Sequence, residues 1–142
     1  MLKVILKAMV SMGVFLYRLT GGGIGGRVQS LPVLLLTTTG RKSGKTRTVP
    51  VGFLRDGSDY VIIASNAGLP RHPAWFLNLE SEPSATIQVK KRQMQVKAET
   101  ANPEKRRELW ARLIEVAPGY ANYEKRTTRE IPMVILHPVD EK

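Results

Sequence analysis

Three strand-like runs follow one another before any helical pattern intervenes, and that order constrains the fold more than any other feature. Val33 to Thr39 is apolar with β-branched residues, and has the length and flanks of a buried strand. Thr46 to Arg55 alternates, with Arg47, Val49, Val51 and Phe53 on one face and Thr48, Pro50, Gly52 and Leu54 on the other. Pro50 and Gly52 mark an edge, a bulge or a close approach of a ligand to the backbone. Asp56-Gly57 turns the chain into a third strand, Tyr60 to Ala64.

Pro73 to Ser81 reads as a short helix, with proline in its first position and Pro83 beyond its end. Ala85, Ile87 and Val89 then alternate with polar neighbours, as do Met94, Val96 and Ala98 after a basic turn. Asn102-Pro103-Glu104 starts a second helix, in which Leu109/Leu113 and Trp110/Ile114 form a core-facing stripe that Pro118-Gly119 ends. A polar stretch bearing Tyr120 and Tyr123 leads to a last strand, Ile131 to His137. The order βββ-α-ββ-α-β has short connections and no regular βαβ alternation. It predicts an α+β, mainly β fold, its mostly antiparallel sheet closed or half-closed into a barrel with helices outside.

Residues 1–26 stand apart as an amphipathic helix and a linker, leaving 27–142 as the folded body. The uncharged stretch Ala8 to Tyr17 is far short of the roughly 18 residues that span a bilayer. Arg18 and the glycines after it do not form a signal-peptide cleavage site. Met1 to Leu19 is therefore expected to dock on the body or to lie on a membrane surface. Gly21 to Gly26 matches G-x-G-x-x-G in form, but a helix precedes it and a strand follows, so it reads as a hinge.

Charge is distributed unevenly. Residues 1–55 carry nine Lys and Arg and no acid, whereas the rest carry thirteen basic and twelve acidic residues. The front half thus favours an anionic partner. The chain has no cysteine, which removes disulfides, thiolate metal sites and cysteine nucleophiles, and its two histidines cannot build a multi-histidine metal site. No metal is expected.

The densest charge lies in Thr37-Thr-Thr-Gly-Arg-Lys-Ser-Gly-Lys-Thr-Arg47, where Arg41, Lys42, Lys45 and Arg47 share seven residues with no acid nearby. Gly40 to Thr46 approaches the phosphate-binding P-loop, but it is one residue short and leads into a strand rather than a helix. Such a turn offers cations, hydroxyls and close backbone N–H groups to a polyanion. Four charge-assisted contacts at about 1.5–3 kcal/mol each give about 6–12 kcal/mol gross, where micromolar binding needs about 8. A second constellation runs from Ala64-Ser65-Asn66-Ala67-Gly68 through Arg71-His72-Pro73 to Ala74-Trp75-Phe76-Leu77-Asn78. Small residues there allow close approach to a flat ring, and the aromatics supply walls. His72 reads as a cap or surface residue rather than a catalyst. A third is the pair Tyr120 and Tyr123, spaced to meet on a helical turn.

Leu34 to Pro50, Ala64 to Leu79 and Tyr120 to Pro132 are together similar to the signature segments of the deazaflavin-dependent nitroreductases, and the likeness runs from about Leu16 to the C-terminus. The resemblance implies a split β-barrel of the flavin-reductase and pyridoxamine-oxidase type. It implies coenzyme F-420, a deazaflavin with an anionic tail, as cofactor, with FMN a less favoured occupant. By that likeness Arg41, Lys42, Ser43 and Arg47 would meet the tail, with Thr48, Val49 and Pro50 beside it. Ala64, Ser65, Asn66, Ala74, Trp75, Phe76, Leu77 and Asn78 would cradle the ring. Ser65, Tyr120 and Tyr123 would be the catalytic side chains, and hydride would pass to a quinone, nitroaromatic or activated alkene. The expected setting is cytoplasmic, as monomer or homodimer, at the inner membrane face if residues 1–19 touch lipid. A non-catalytic carrier of a lipid or cofactor is the alternative. Nucleic acid ranks behind both, because the body lacks a recognisable reader motif.

Overall fold

The structure, a computed structural model, describes residues 10–18, 27–28 and 31–139. A helix, α1, covers 10–18, and a two-residue strand β1 (Arg27–Val28) pairs with the start of β2 (Leu31–Thr39). Strands β3 (Thr46–Asp56) and β4 (Asp59–Ile63) follow, then helix α2 (Ala74–Ser81). The hairpin β5 (Ser84–Val89) and β6 (Arg92–Thr100) leads to helices α3 (Pro103–Val116) and α4 (Tyr120–Arg126), and β7 (Met133–Pro138) ends the fold.

Every pairing is antiparallel, and the sheet order β1-β2-β3-β4-β7-β6-β5 returns on itself because β2 also pairs with β5. Leu35↔Gln88, Leu36↔Ile87 and Thr37↔Thr86 close the six long strands into a barrel, as the order of runs predicts. Closure removes the open edges that a sheet would otherwise present for pairing with other chains. The turns obey the same logic. Gly57 at φ +61° and Lys90 at φ +57° occupy left-handed backbone in the tight turns of the β3–β4 and β5–β6 hairpins.

The alternation of each strand separates two cores. Leu34, Leu36, Phe53, Tyr60, Ile62, Ile87, Val134 and Leu136 fill the barrel. Val61, Ile63, Met133 and Ile135 point outward and meet Leu109 and Leu113 of α3, both fully buried. Asn102 caps that helix, its side-chain oxygen accepting from the Lys105 N–H at 2.8 Å. Asp56, held below the ordinary carboxylate range chiefly by its hydrogen bond to Lys105, also pairs with Arg112 at 3.0 Å and ties α3 to the β3–β4 hairpin.

Of the two roles expected for the N-terminal helix, docking is what α1 shows. Val14 and Tyr17 pack on the outer face of β2 against Val33 and Leu35. The buried Tyr17 hydroxyl donates to the Val33 carbonyl and accepts from the Lys90 N–H, each at 2.8 Å. Met12 and Phe15 remain exposed. Among the described residues no helix is long and apolar enough to cross a membrane. The expected glycine hinge, 21–26, lies outside the described residues, as do Lys3 and Lys7 of the basic N-terminus.

His137 of β7 bridges its two neighbouring strands, with Nδ1 3.0 Å from Asp59 and Nε2 3.2 Å from Glu99. Burial lowers its pKa, but hydrogen bonds to Glu99 and Asp59 and their charges outweigh that and raise it above 6.5. The bridge therefore stabilises fully below the ordinary histidine value and is lost as pH rises through the raised one. The urea midpoint should fall as pH is raised from about 6 to about 8, and His137→Gln should flatten that slope. An equally steep profile in the variant would assign the dependence elsewhere.

Candidate functional site

The β2–β3 turn is closed by its own backbone. Gly44 donates to the Gly40 carbonyl and Gly40 to the Lys45 carbonyl, both at 2.8 Å, and the Lys45 N–H reaches Ser43 Oγ at 3.2 Å. Gly44 sits at φ +72°, and a Cβ on Gly40 would lie 2.8 Å from Ser43 Oγ, so both glycines are required by shape. The Arg41 N–H donates to Asn78 Oδ1 at 3.1 Å. Four backbone N–H groups expected to face an anion are thus satisfied inside the turn or by Asn78, and the cationic side chains remain to meet it. Among the described residues, none of Arg41, Lys42, Lys45 and Arg47 lies within salt-bridge distance of a carboxylate.

Asn78 connects this turn to α2. It is buried, its Oδ1 accepting from Arg41 and its Nδ2 donating to Thr38 Oγ1 at 3.1 Å. A cleft of about 410 Å³ opens beside it, lined by Thr38, Gly40, Arg41, Lys42, Ser43, Arg47, Val49, Ala74, Trp75 and Asn78. A second lobe of about 310 Å³ shares Val49 and Trp75 and continues along Pro50, Val51 and Gly52 to Ser65, Asn66, Ala67 and Tyr120. The site is therefore one trough with a cationic end and an aromatic, hydroxyl-bearing end.

The second end is built by the loop between β4 and α2. Asn66, Ala67 and Gly68 carry φ of +48°, +54° and +78°, a left-handed run unusual outside glycine. The Asn66 side chain donates to the Arg71 carbonyl at 2.9 Å. Arg129, just before β7, donates to the carbonyls of Ala64, Ser65 and Leu69 at 3.2, 2.8 and 3.0 Å. Burial lowers its pKa. Its Nη1 also meets His72 Nδ1 at 3.2 Å; the guanidinium can only donate, so that ring nitrogen accepts. His72 stacks on Phe76 with centroids 4.7 Å apart, and is neither a cap nor a cleft residue.

Tyr120 opens α4, which extends the single helical turn that the spacing of Tyr120 and Tyr123 suggests. Its ring is buried and meets Tyr123 edge-on at 5.4 Å. Burial, with a smaller contribution from Tyr123, pushes its hydroxyl pKa up to about 12. A Cβ on Gly52 would come within 3.3 Å of that hydroxyl, so the bare backbone at this position makes room for it.

Most of the expected site residues converge, with informative exceptions. Arg41, Lys42, Ser43, Arg47, Val49, Pro50, Ser65, Asn66, Ala74, Trp75, Asn78 and Tyr120 all line the trough. Thr48 faces the other way, bonded to the Thr37 hydroxyl at 2.8 Å and lining a separate cleft under α1. Ala64 and Phe76 lie in the barrel core, Leu77 packs against it, and Tyr123 stands behind Tyr120. Thr38, Val51, Ile63 and Arg129 are among the residues that sequence reasoning did not single out for the site. Arg129 lies inside Tyr120 to Pro132, a segment that carries the family likeness, but nothing in a loop's sequence tells where its arginine points.

A family model described as F420H(2)-dependent quinone reductase matches residues 10–138. An F420H(2)-dependent quinone reductase of Mycobacterium tuberculosis is 40% identical over 127 residues, covering 85% of this chain and 84% of the relative. A solved structure of an F420-H2 dependent reductase is 36% identical over 75% of this chain and 94% of that one, with a TM-score of 0.68. Another, described as a domain-swapped dimer, is 36% identical over 75% and 80%, with a TM-score of 0.69.

Asn78→Ala removes the side chain that, among the described residues, joins the cationic turn to α2 by hydrogen bonds. The variant should lose about 1–3 kcal/mol in urea unfolding, with faster hydrogen exchange at residues 40–45. Unchanged exchange there would show that the turn holds itself.

Proposed function

Because this chain belongs to the F420H(2)-dependent quinone reductase family, we propose that its trough holds the reduced deazaflavin and passes its reducing equivalents to a quinone. The observation that carries this reading is the union of two lobes across Val49 and Trp75. A polyanionic tail finds four cations without acidic partners among the described residues, and a flat ring finds an apolar wall. The residues present therefore suit such a cofactor. Bound in its reduced state, the deazaflavin supplies the hydride.

The side chains do the rest. Arg41, Lys42, Ser43 and Arg47 bind the tail; Lys45, in the same turn, adds to the field that draws it in. Trp75, Val49 and Ala74 wall the ring, with Ser65 and Asn66 at its polar edge, and together they exclude water from it. Tyr120 reaches the second lobe as a hydroxyl that stays protonated, since its pKa is raised to about 12. It is placed to donate a hydrogen bond to an acceptor oxygen on which negative charge develops, or to give that oxygen a proton. Ser65 offers a second hydroxyl in the same lobe, and Tyr123 fixes the orientation of the Tyr120 ring. Nitroaromatics and activated alkenes present the same kind of developing oxyanion and belong to the same proposal.

Fluorescence titration with the oxidised deazaflavin should give binding at micromolar protein. Changing Arg41, Lys42 and Arg47 together to alanine should weaken it at least about a hundredfold, if each contact contributes about 1 kcal/mol or more. Equal binding by wild type and variant would overturn the tail site. Oxidation of the reduced cofactor by menadione separates a reductase from a carrier, which would bind without turnover. Tyr120→Phe should lower kcat about tenfold or more with little change in cofactor affinity. An unchanged kcat would remove Tyr120 from the proton's path.

A further inference from the structure

Arg129 reaches back beneath the loop that follows β4. Nη1 takes the Ala64 carbonyl, Nη2 the Ser65 carbonyl and Nε the Leu69 carbonyl. One planar group thereby grips both ends of residues 64–69. Between those ends lie three consecutive left-handed residues, two of them not glycine. Such backbone persists only when its surroundings over-determine it. Helix α4 also closes on this loop: a Cβ on Gly68 would fall 3.0 Å from Arg126 Cβ and 3.1 Å from the Tyr123 carbonyl. The loop thus meets both α4, which carries Tyr120, and the guanidinium.

We propose that Arg129 is a positioning residue, a brace that holds Ser65, Asn66 and Ala67 at the wall of the second lobe without itself lining the trough. Three observations favour bracing over general stability. Strand β4 is anchored independently, by pairing with β7 and by the Ala64 N–H bond to the Pro132 carbonyl at 3.0 Å. All three carbonyls that Arg129 grips belong to this loop and its entry. Fork geometry is also what the contacts demand, because a lysine ammonium cannot present three donors in one rigid plane.

The experiment compares wild type with Arg129→Lys and Arg129→Ala. In the protein without cofactor, exchange at the Gly68 and Leu69 amides, which donate to Ser65 and Asn66 at 2.9 and 3.0 Å, should quicken at least about tenfold in both variants. Amides of β4 should not change. In the menadione assay, whose use rests on the function proposed above, kcat should fall about tenfold or more. Deazaflavin affinity, dominated by the cationic turn, should stay within about threefold. Millimolar guanidinium should restore part of the rate to Arg129→Ala. Unchanged exchange at Gly68 and Leu69 would overturn the brace, and quickened exchange with unaltered kcat would overturn its part in the reaction. Failure of wild type itself to oxidise the cofactor would sink the functional reading, while the exchange result would still decide the brace.

Discussion

The pairing of β2 with both β3 and β5 is the constraint from which the rest follows. It turns a meander into a closed wall and fixes what each strand end can do. The register places Ile63 opposite Met133 and Phe53 opposite Ile62, so the β2–β3 turn, the loop after β4 and the entry to β7 leave the barrel at one end. A cationic turn, a left-handed loop and a bracing arginine then meet there, although they lie up to ninety residues apart in sequence. Hydrophobic burial on both faces of β2 holds this arrangement. Leu34 and Leu36 face the barrel while Val33 and Leu35 face α1, and all four are almost wholly buried.

Polar contacts of the buried Asn78 and the partly buried Arg129 then refine what packing only approximates. Asn78 and Arg129 occupy comparable positions at the two lobes, each reaching across from a different element to satisfy groups on a loop. Among the described residues no buried side-chain polar atom lacks a partner. Side chains of this kind give a loop a definite shape, because leaving a buried polar group unbonded costs about 1–3 kcal/mol.

Much of this was legible in the sequence. Period-two alternation found β3, β5 and β6, apolar runs found β2 and β4, and Asn102 with Leu109 and Leu113 found α3 close to its observed bounds. Pro73 proved to be the cap of α2 rather than its first helical residue. Of helix α4 only one turn was legible, from the spacing of Tyr120 and Tyr123, because it is seven residues long and buries only Tyr120, too little to set a period. Strand β1 was hidden because a two-residue pairing leaves no pattern at all. In the trough, the cationic turn was evident from charges with no acids nearby. The inward turn of Phe76 and the outward turn of Thr48 depend on which face the closed barrel presents, and that is a tertiary fact.

The β2–β3 turn keeps its own shape: its backbone bonds close without help from any anion. On the function proposed above, the cofactor's tail would meet a finished mould, so the disorder lost on capture would fall mainly on that flexible tether. Long-range attraction from exposed cations, rather than rearrangement of the loop, would then govern how fast capture proceeds. Each further negative group on the tether lengthens the reach of that attraction, and dissolved salt shortens it.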